Sequence, residues 1–276
     1  MSETLRFDPI YPAHAIERCS ATLAFGEPLT DKLMQKVKAK ANPLFAHLQM
    51  FAQVQPQYGI EINPQTGAVT PKQMGLGSFI YSNAEQTLNC IITPGAIIWN
   101  NVRYVRWQPF IGQIEQVLPP VLDIIIDAVD IASIKLEYLD RFYWSGDWSN
   151  FDSQKLLRND RGMWAETAKR AKREWHSHSG WFDYVSHSVR SLININVDVV
   201  SAARPGENGA VPSVGILTLL QDQMVRGENG ARFGQEGVFK DPISQLDKQH
   251  HVLKGVLAEV IVPQMAERIA LDPKAR

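Results

Sequence analysis

The stretch from Tyr104 to Trp144 limits what this chain can fold into more than any other. Within it Trp107, Phe110, Ile111, Ile114, Val117, Leu118, Val121, Leu122 and Ile125 recur at spacings of three and four. That spacing lines one face of a 3.6-residue helix, and a helix with so broad an apolar stripe must lie on something apolar. The segment after it alternates with period two. Ile134, Leu136, Tyr138, Phe142 and Trp144 point one way; Lys135, Glu137, Arg141 and Tyr143 point the other. A striped helix followed at once by a half-buried strand describes a layer fold, with helix on antiparallel sheet. Pro119-Pro120 falls inside the helix and predicts a sharp kink there, or one helix ending near Leu118 and a second starting on proline.

The flanking segments extend this picture. Ala15 to Phe25 reads as a strand, after an irregular lead. Thr30 or Asp31 caps a helix whose Leu33, Met34, Val37 and Ala41 form a stripe, with Asn42-Pro43 as its stop. His47–Val54, Ile60–Ile62, Met74–Tyr81 and Gln86–Ile98 read as a meander, with Asn63 to Gly67 as one of its turns. Beyond Trp144, the polar run Ser145 to Asn150 marks a boundary. A second helix is expected up to His176, with Trp164, Ala168, Ala171 and Trp175 on its buried face and a basic outer face. Val189–Val200 and Val214–Val225 read as strands. The strings Gly206-Glu207-Asn208-Gly209-Ala210 and Gly227-Glu228-Asn229-Gly230-Ala231 read as turns. A long helix from Asp241 to Leu271 closes the chain.

The expected fold class is therefore α+β: two layered subdomains of mostly antiparallel sheet with long helices packed on one face, 1–148 and 149–276. Strand, strand, long helix occurs in both halves, so a duplicated unit would fit. At 276 residues the chain can bury substantial cores. Its formal charge of −1 supplies no global field toward nucleic acid or a membrane. No aliphatic run reaches a membrane span and no leader-like segment opens the sequence, so it reads as cytoplasmic. Cys19 and Cys90, in apolar surroundings, read as reduced core thiols.

Several motifs carry a resemblance. Tyr11-Pro12 with Ala15-Ile16-Glu17, Tyr104-x-x-Trp107-x-x-Phe110, Leu136-Glu137-Tyr138-Leu139-Asp140-Arg141, and Leu246-Asp247-x-x-His250 are the residues concerned. In these the chain resembles an uncharacterised, sporadically distributed family of bacterial proteins of similar length. That family shows arginine, tyrosine, any residue and asparagine in the central strand, where this chain has Glu137, Tyr138, Leu139 and Asp140. The resemblance brings no activity with it; its scattered distribution implies an accessory role in a defence or mobile locus.

Asp140 is the single residue that breaks the apolar alternation of the central strand. An ionised carboxylate there costs several kcal/mol unless it is paired, roughly as for any buried charge. It reads either as an acid of raised pKa or a ligand contact beneath the long helix, with Tyr138, Arg141 and Trp107 around it, or as a rim carboxylate paired with Arg103 or Arg106. His176, His178 and His187, with Asp183, could supply metal ligands. Asp247 and His251 are i, i+4 neighbours that could act as an acid–base pair, with His250 packed at the helix–sheet seam instead. Asp123, Asp127 and Asp130 recur at helical spacing. Lys169, Arg170, Lys172 and Arg173, within a basic helix spanning 155–173, could contact an anion or nucleic acid. Phosphate-loop, zinc-protease and serine-hydrolase signatures are absent, and no cofactor is expected.

The function expected from these features is a non-catalytic binding or protein–protein interaction module, its partner a second copy or the product of a neighbouring gene, with no membrane partner. The alternatives are a metal-assisted hydrolase or nuclease using the histidine-rich segment, and a nucleic-acid-binding protein using the basic helix.

Overall fold

The two periodicities of the central stretch produce the elements they call for. The computed structural model describes residues 6–62, 69–164, 166–171, 173–225, 239 and 241–271. In chain order the elements are β1 (Phe7–Pro9), β2 (Ile16–Phe25), α1 (Asp31–His47), β3 (Phe51–Ile62), β4 (Val69–Ser82), β5 (Leu88–Ile92) and β6 (Ala96–Asn101). There follow α2 (Trp107–Ile125), β7 (Ile131–Trp144), α3 (Glu166–Arg170), β8 (Trp175–Tyr184), β9 (Val189–Ala203), β10 (Ala210–Met224), α4 (Pro242–Val260) and α5 (Pro263–Arg268). The fold is mixed α+β, built on a ten-stranded antiparallel sheet among the described residues. Its order is β3-β4-β5-β6-β2-β7-β10-β9-β8, with β1 on β7.

The chain divides into two compact units, one made of residues 1–20, 135–227 and 244–276, the other of 21–134 and 228–243. These segments interleave and do not follow a division near residue 148. The reason is visible at the N-terminus. Phe7 pairs with Trp144 in the sheet, and Arg268 donates to the Phe7 carbonyl at 2.9 Å and to Asp8 at 2.8 Å. Phe7, Asp8, Trp144 and Arg268 are thereby held in one unit.

In the second unit, the nine stripe residues of α2 are all buried, and the helix runs through Pro119 and Pro120 without dividing. Two lost N–H groups are outweighed by an apolar face that stays in phase. In the same way α1, capped by Thr30, continues past Pro43. Its fourth buried residue, Phe45, stacks on Tyr81 with ring centroids 4.0 Å apart, and the Tyr81 hydroxyl donates to Asn42 at 2.8 Å. The strand expected from His47 therefore starts only at Phe51. The single strand expected over Gln86–Ile98 is two, because Thr93 Oγ1 accepts from the amides of Gly95 and Ala96 and turns the chain. Asn63 to Gly67 lie outside the described residues.

In the first unit, β9 and β10 pair in unbroken register from Ala203↔Ala210 to Val189↔Met224. The turn between them has Gly206 and Gly209 at φ +81° and +95°, a left-handed conformation that glycine takes without strain. The second copy of that string lies outside the described residues. Ile195, Val197 and Val199 of β9, Val214 and Ile216 of β10, and Phe142 and Trp144 of β7 form one core with Leu257 and Val260 of α4. Each fully buried aliphatic side chain of this kind contributes about 1.5–3 kcal/mol.

The expected basic helix over 155–173 does not form as one element. A 3-10 turn at Ser153–Lys155 is followed by irregular chain to Trp164, and α3 spans only Glu166–Arg170. Gly162 sits at φ +65°, which interrupts a helix, and Leu157 forms a bridge with Ile261 that holds the chain extended. Trp175 and His176 begin β8 and do not end a helix.

Candidate functional site

Alternation along β7 places Asp140 on the same face as Leu136, Tyr138 and Phe142, as the sequence required. It is 1% exposed, and neither carboxyl oxygen has a hydrogen-bond partner among the described residues. Burial pushes its pKa up to about 8. The rim ion pair with Arg103 or Arg106 is not made. Asp140 is an acid taken out of water without compensation.

Cys19 and Tyr138 lie beside this position, and Tyr138 reaches a third ionisable group, His250. Cys19 of β2 is fully buried, its thiol pushed well up by burial and further by the carboxyls of Asp140 and Glu137, against a hydrogen bond with Tyr138 that acts the other way. The Tyr138 hydroxyl lies 2.8 Å from Nδ1 of His250 on α4. Burial, helped by Lys254 and His251 and opposed by Asp247, brings His250 down to about 4. At neutral pH its ring is uncharged, so one ring nitrogen can accept the Tyr138 proton. The expected packing of His250 at the helix–sheet seam thus holds, and residues from two of the quoted motifs, Tyr138 and His250, meet there.

The same sheet face holds a second buried acid that sequence reading passed over. Asp222 of β10 is 2% exposed. It accepts from Ser191 of β9, from Gln245 of α4 at 2.6 Å and from Gln249 of α4 at 2.6 Å. Three donors from two elements converge on one carboxyl group and pin the N-terminal half of α4 to the sheet. A usable signal existed: Asp222 has the parity of Val214, Ile216 and Leu220, and Gln245 and Gln249 are i, i+4 neighbours.

Other candidate residues are placed apart. Arg141 points to the opposite face of β7, where it bonds Glu17 at 2.9 Å and Ser213 at 3.3 Å. It lies across Gly215, where an added Cβ would come within 3.0 Å of Nη1. Trp107 is buried at the start of α2, in the second unit. His176 and His178 share one exposed face of β8 with rings 5.8 Å apart, opposite Asp198 and Asn196 in register, while His187 sits in the following turn. Among the described residues no group of three or more His, Cys, Asp or Glu could hold a metal ion. That also applies to Asp123, Asp127 and Asp130, because α2 ends before the latter two. Asp247 and His251 are 3.7 Å apart and exposed. Arg170 and Arg173 are exposed, whereas Lys172 and the side chain of Lys169 lie outside the described residues. Trp164 is buried and offers no ring for base stacking.

The two sheet edges differ in a way that bears on binding. At β3, Pro56 brings no N–H, and the register shifts at Gln55/Pro56 and again at Gln57/Tyr58. Prolines and bulges of this kind blunt an edge against added strands. The other edge, β8, has the sequence Trp-His-Ser-His-Ser-Gly-Trp-Phe-Asp-Tyr, with no Lys, Arg or Pro. It pairs with β9 without a shift from Trp175↔Val199 to Tyr184↔Arg190, and no described strand covers its outer side. Phe182, Tyr184 and Val185 are exposed there. Beside it lies a groove of about 410 Å³ walled by Met163, Trp181, Val252 and Val256, with His251 and Glu259 at its rim. Gly255 opens its helical wall: an added Cβ would meet nothing within 4 Å.

No family model matches the chain, and no curated protein matches it. No helix among the described residues is long and apolar enough to cross a membrane.

Proposed function

We propose that this chain is a non-catalytic binding module that recognises a protein strand along β8. The observation that supports this reading is the unguarded state of that edge beside the guarded edge at β3. An unpaired row of backbone N–H and C=O groups is a template for another strand. Strand addition takes its affinity from main-chain hydrogen bonds and its specificity from pockets that receive alternate side chains. The groove next to Trp181 is placed to be such a pocket. The partner is a second copy of the chain or the product of a neighbouring gene, and the family resemblance adds an accessory role in a defence or mobile locus to the proposal.

Lysines on an edge strand are a natural guard against pairing, so Phe182→Lys with Tyr184→Lys is the direct test. Sedimentation of the purified chain, and capture with products of neighbouring genes, should show an association that this double variant loses. Near-UV circular dichroism should stay unchanged. Association that survives both lysines sinks the reading.

A further inference from the structure

We propose that Asp140 is held as a neutral carboxylic acid in the folded chain, and that its ionisation is a switch that loosens the seat of α4 on β7. The geometry carries this. Asp140 is almost wholly buried on the apolar face of a central strand, and both of its oxygens lack partners among the described residues. A carboxylate so placed faces the cost of an uncompensated buried charge, whereas the protonated form avoids most of it.

None of the described neighbouring groups is bonded to Asp140. From β2 comes the Cys19 thiol, itself held protonated by burial. From β7 come Tyr138, engaged with His250, and the Glu137 carboxyl on the opposite face, which is bonded to Arg18. On β10 the charged residue of that face is Asp222, already filled by Ser191, Gln245 and Gln249. From α4 comes His250, with Asp247, His251 and Lys254 beside it on the helix. His250 gives up its proton at about 4, far below the value of about 8 to which burial brings Asp140, so the two are not charged together. An ionised Asp140 therefore needs water, and α4, seated on this face of β7 through Tyr138–His250 and through Phe142 and Trp144, is the layer that gives way to admit it.

The unfolded chain ionises this aspartate near 3.8, while the folded chain keeps the proton to about 8. Folded molecules thus bind more protons across that interval, and stability falls as pH rises through it, levelling off above. Aspartate-labelled carbon NMR of the whole chain, with the Asp140 carboxyl identified by its absence in Asp140→Asn, reads the proton directly. Hydrogen exchange of α4 amides between pH 6.5 and 8.5, expressed as the ratio of wild type to Asp140→Asn, reads the switch. We expect a carboxyl titrating near 8 and a ratio rising by up to about tenfold per pH unit. A carboxyl titrating in the ordinary aspartate range overturns the proposal, and so does a ratio flat with pH. Should Asp140→Asn not fold, Asp140→Leu serves as the reference in both measurements.

Discussion

Asp140 and Asp222 are buried alike on adjacent strands of one sheet face, yet they are opposite in character. Asp222 collects three donors, and Asp140 collects none. The difference lies mostly in α4, which supplies two of the three donors, and partly in Ser191 of β9. Where the helix crosses β10 it presents two glutamines one turn apart; at β7 it presents a histidine that already has Tyr138. Burial alone therefore says little about what an acid does in a fold. The count of donors aimed at it decides whether the acid fastens a layer or strains it.

The strongest way to break this comparison is to remove Asp222. Asp222→Ala leaves Ser191, Gln245 and Gln249 around an empty position, and we expect a loss of about 3 kcal/mol. Urea unfolding should show a lower midpoint with unchanged slope. A loss below about 1 kcal/mol, the worth of one ordinary hydrogen bond, would mean that the network fastens nothing.

Next in size is the acid limb. His250 binds its proton near 6.5 when unfolded and near 4 when folded, so unfolded molecules hold more protons between those values. The His250 contribution to stability then falls as pH drops from 6.5 to 4, by at most about 1.4 kcal/mol per pH unit. Asp140 contributes a slope of opposite sign over the same range, so the two oppose each other there, and the Asp140 decline stands alone from 6.5 to about 8. Across pH 4–6.5 the two slopes nearly cancel in the wild type, so denaturation of His250→Leu should show stability rising as pH drops, with the Asp140 slope unopposed. A His250→Leu profile as level as that of the wild type sinks this assignment.

Asp140→Leu should behave in the opposite sense to Asp222→Ala. It replaces an unpartnered acid with an apolar side chain on an apolar face, and stability at pH 7 should hold or rise by about 1–2 kcal/mol. A clear loss in thermal unfolding would show that Asp140 has donors after all. The smallest effect belongs to Tyr138→Phe. Loss of one hydrogen bond to His250 should cost about 1 kcal/mol and leave the His250 titration, read by proton NMR, low, because burial sets it.

Much of the architecture was legible in the sequence because it follows from period. The stripe of α2 named its buried residues one by one. The alternation of β7 named Ile134, Leu136, Tyr138, Phe142, Trp144 and the anomalous Asp140, although Tyr143, assigned to the polar face, is buried as well. Local punctuation was less dependable. Pro43 marked a helix end that tertiary packing overrode, and of the kink or division expected at Pro119-Pro120 the division is not made, since Phe45 and the second half of the α2 stripe had cores to fill. Gly162 and the Leu157–Ile261 bridge undid a helix that composition favoured.

What the chain determined by itself was which face each side chain takes, because parity along a strand and phase along a helix are properties of covalent geometry. Tertiary structure alone decided who meets whom. Tyr138 and His250 are 112 residues apart, and Ser191, Gln245 and Gln249 reach Asp222 across separations of 31, 23 and 27. No local rule sets such pairings; Ser191 meets Asp222 through the β9–β10 register, and the others follow from where α4 lands on the sheet. That landing gave one buried acid two of its three donors and left the other without.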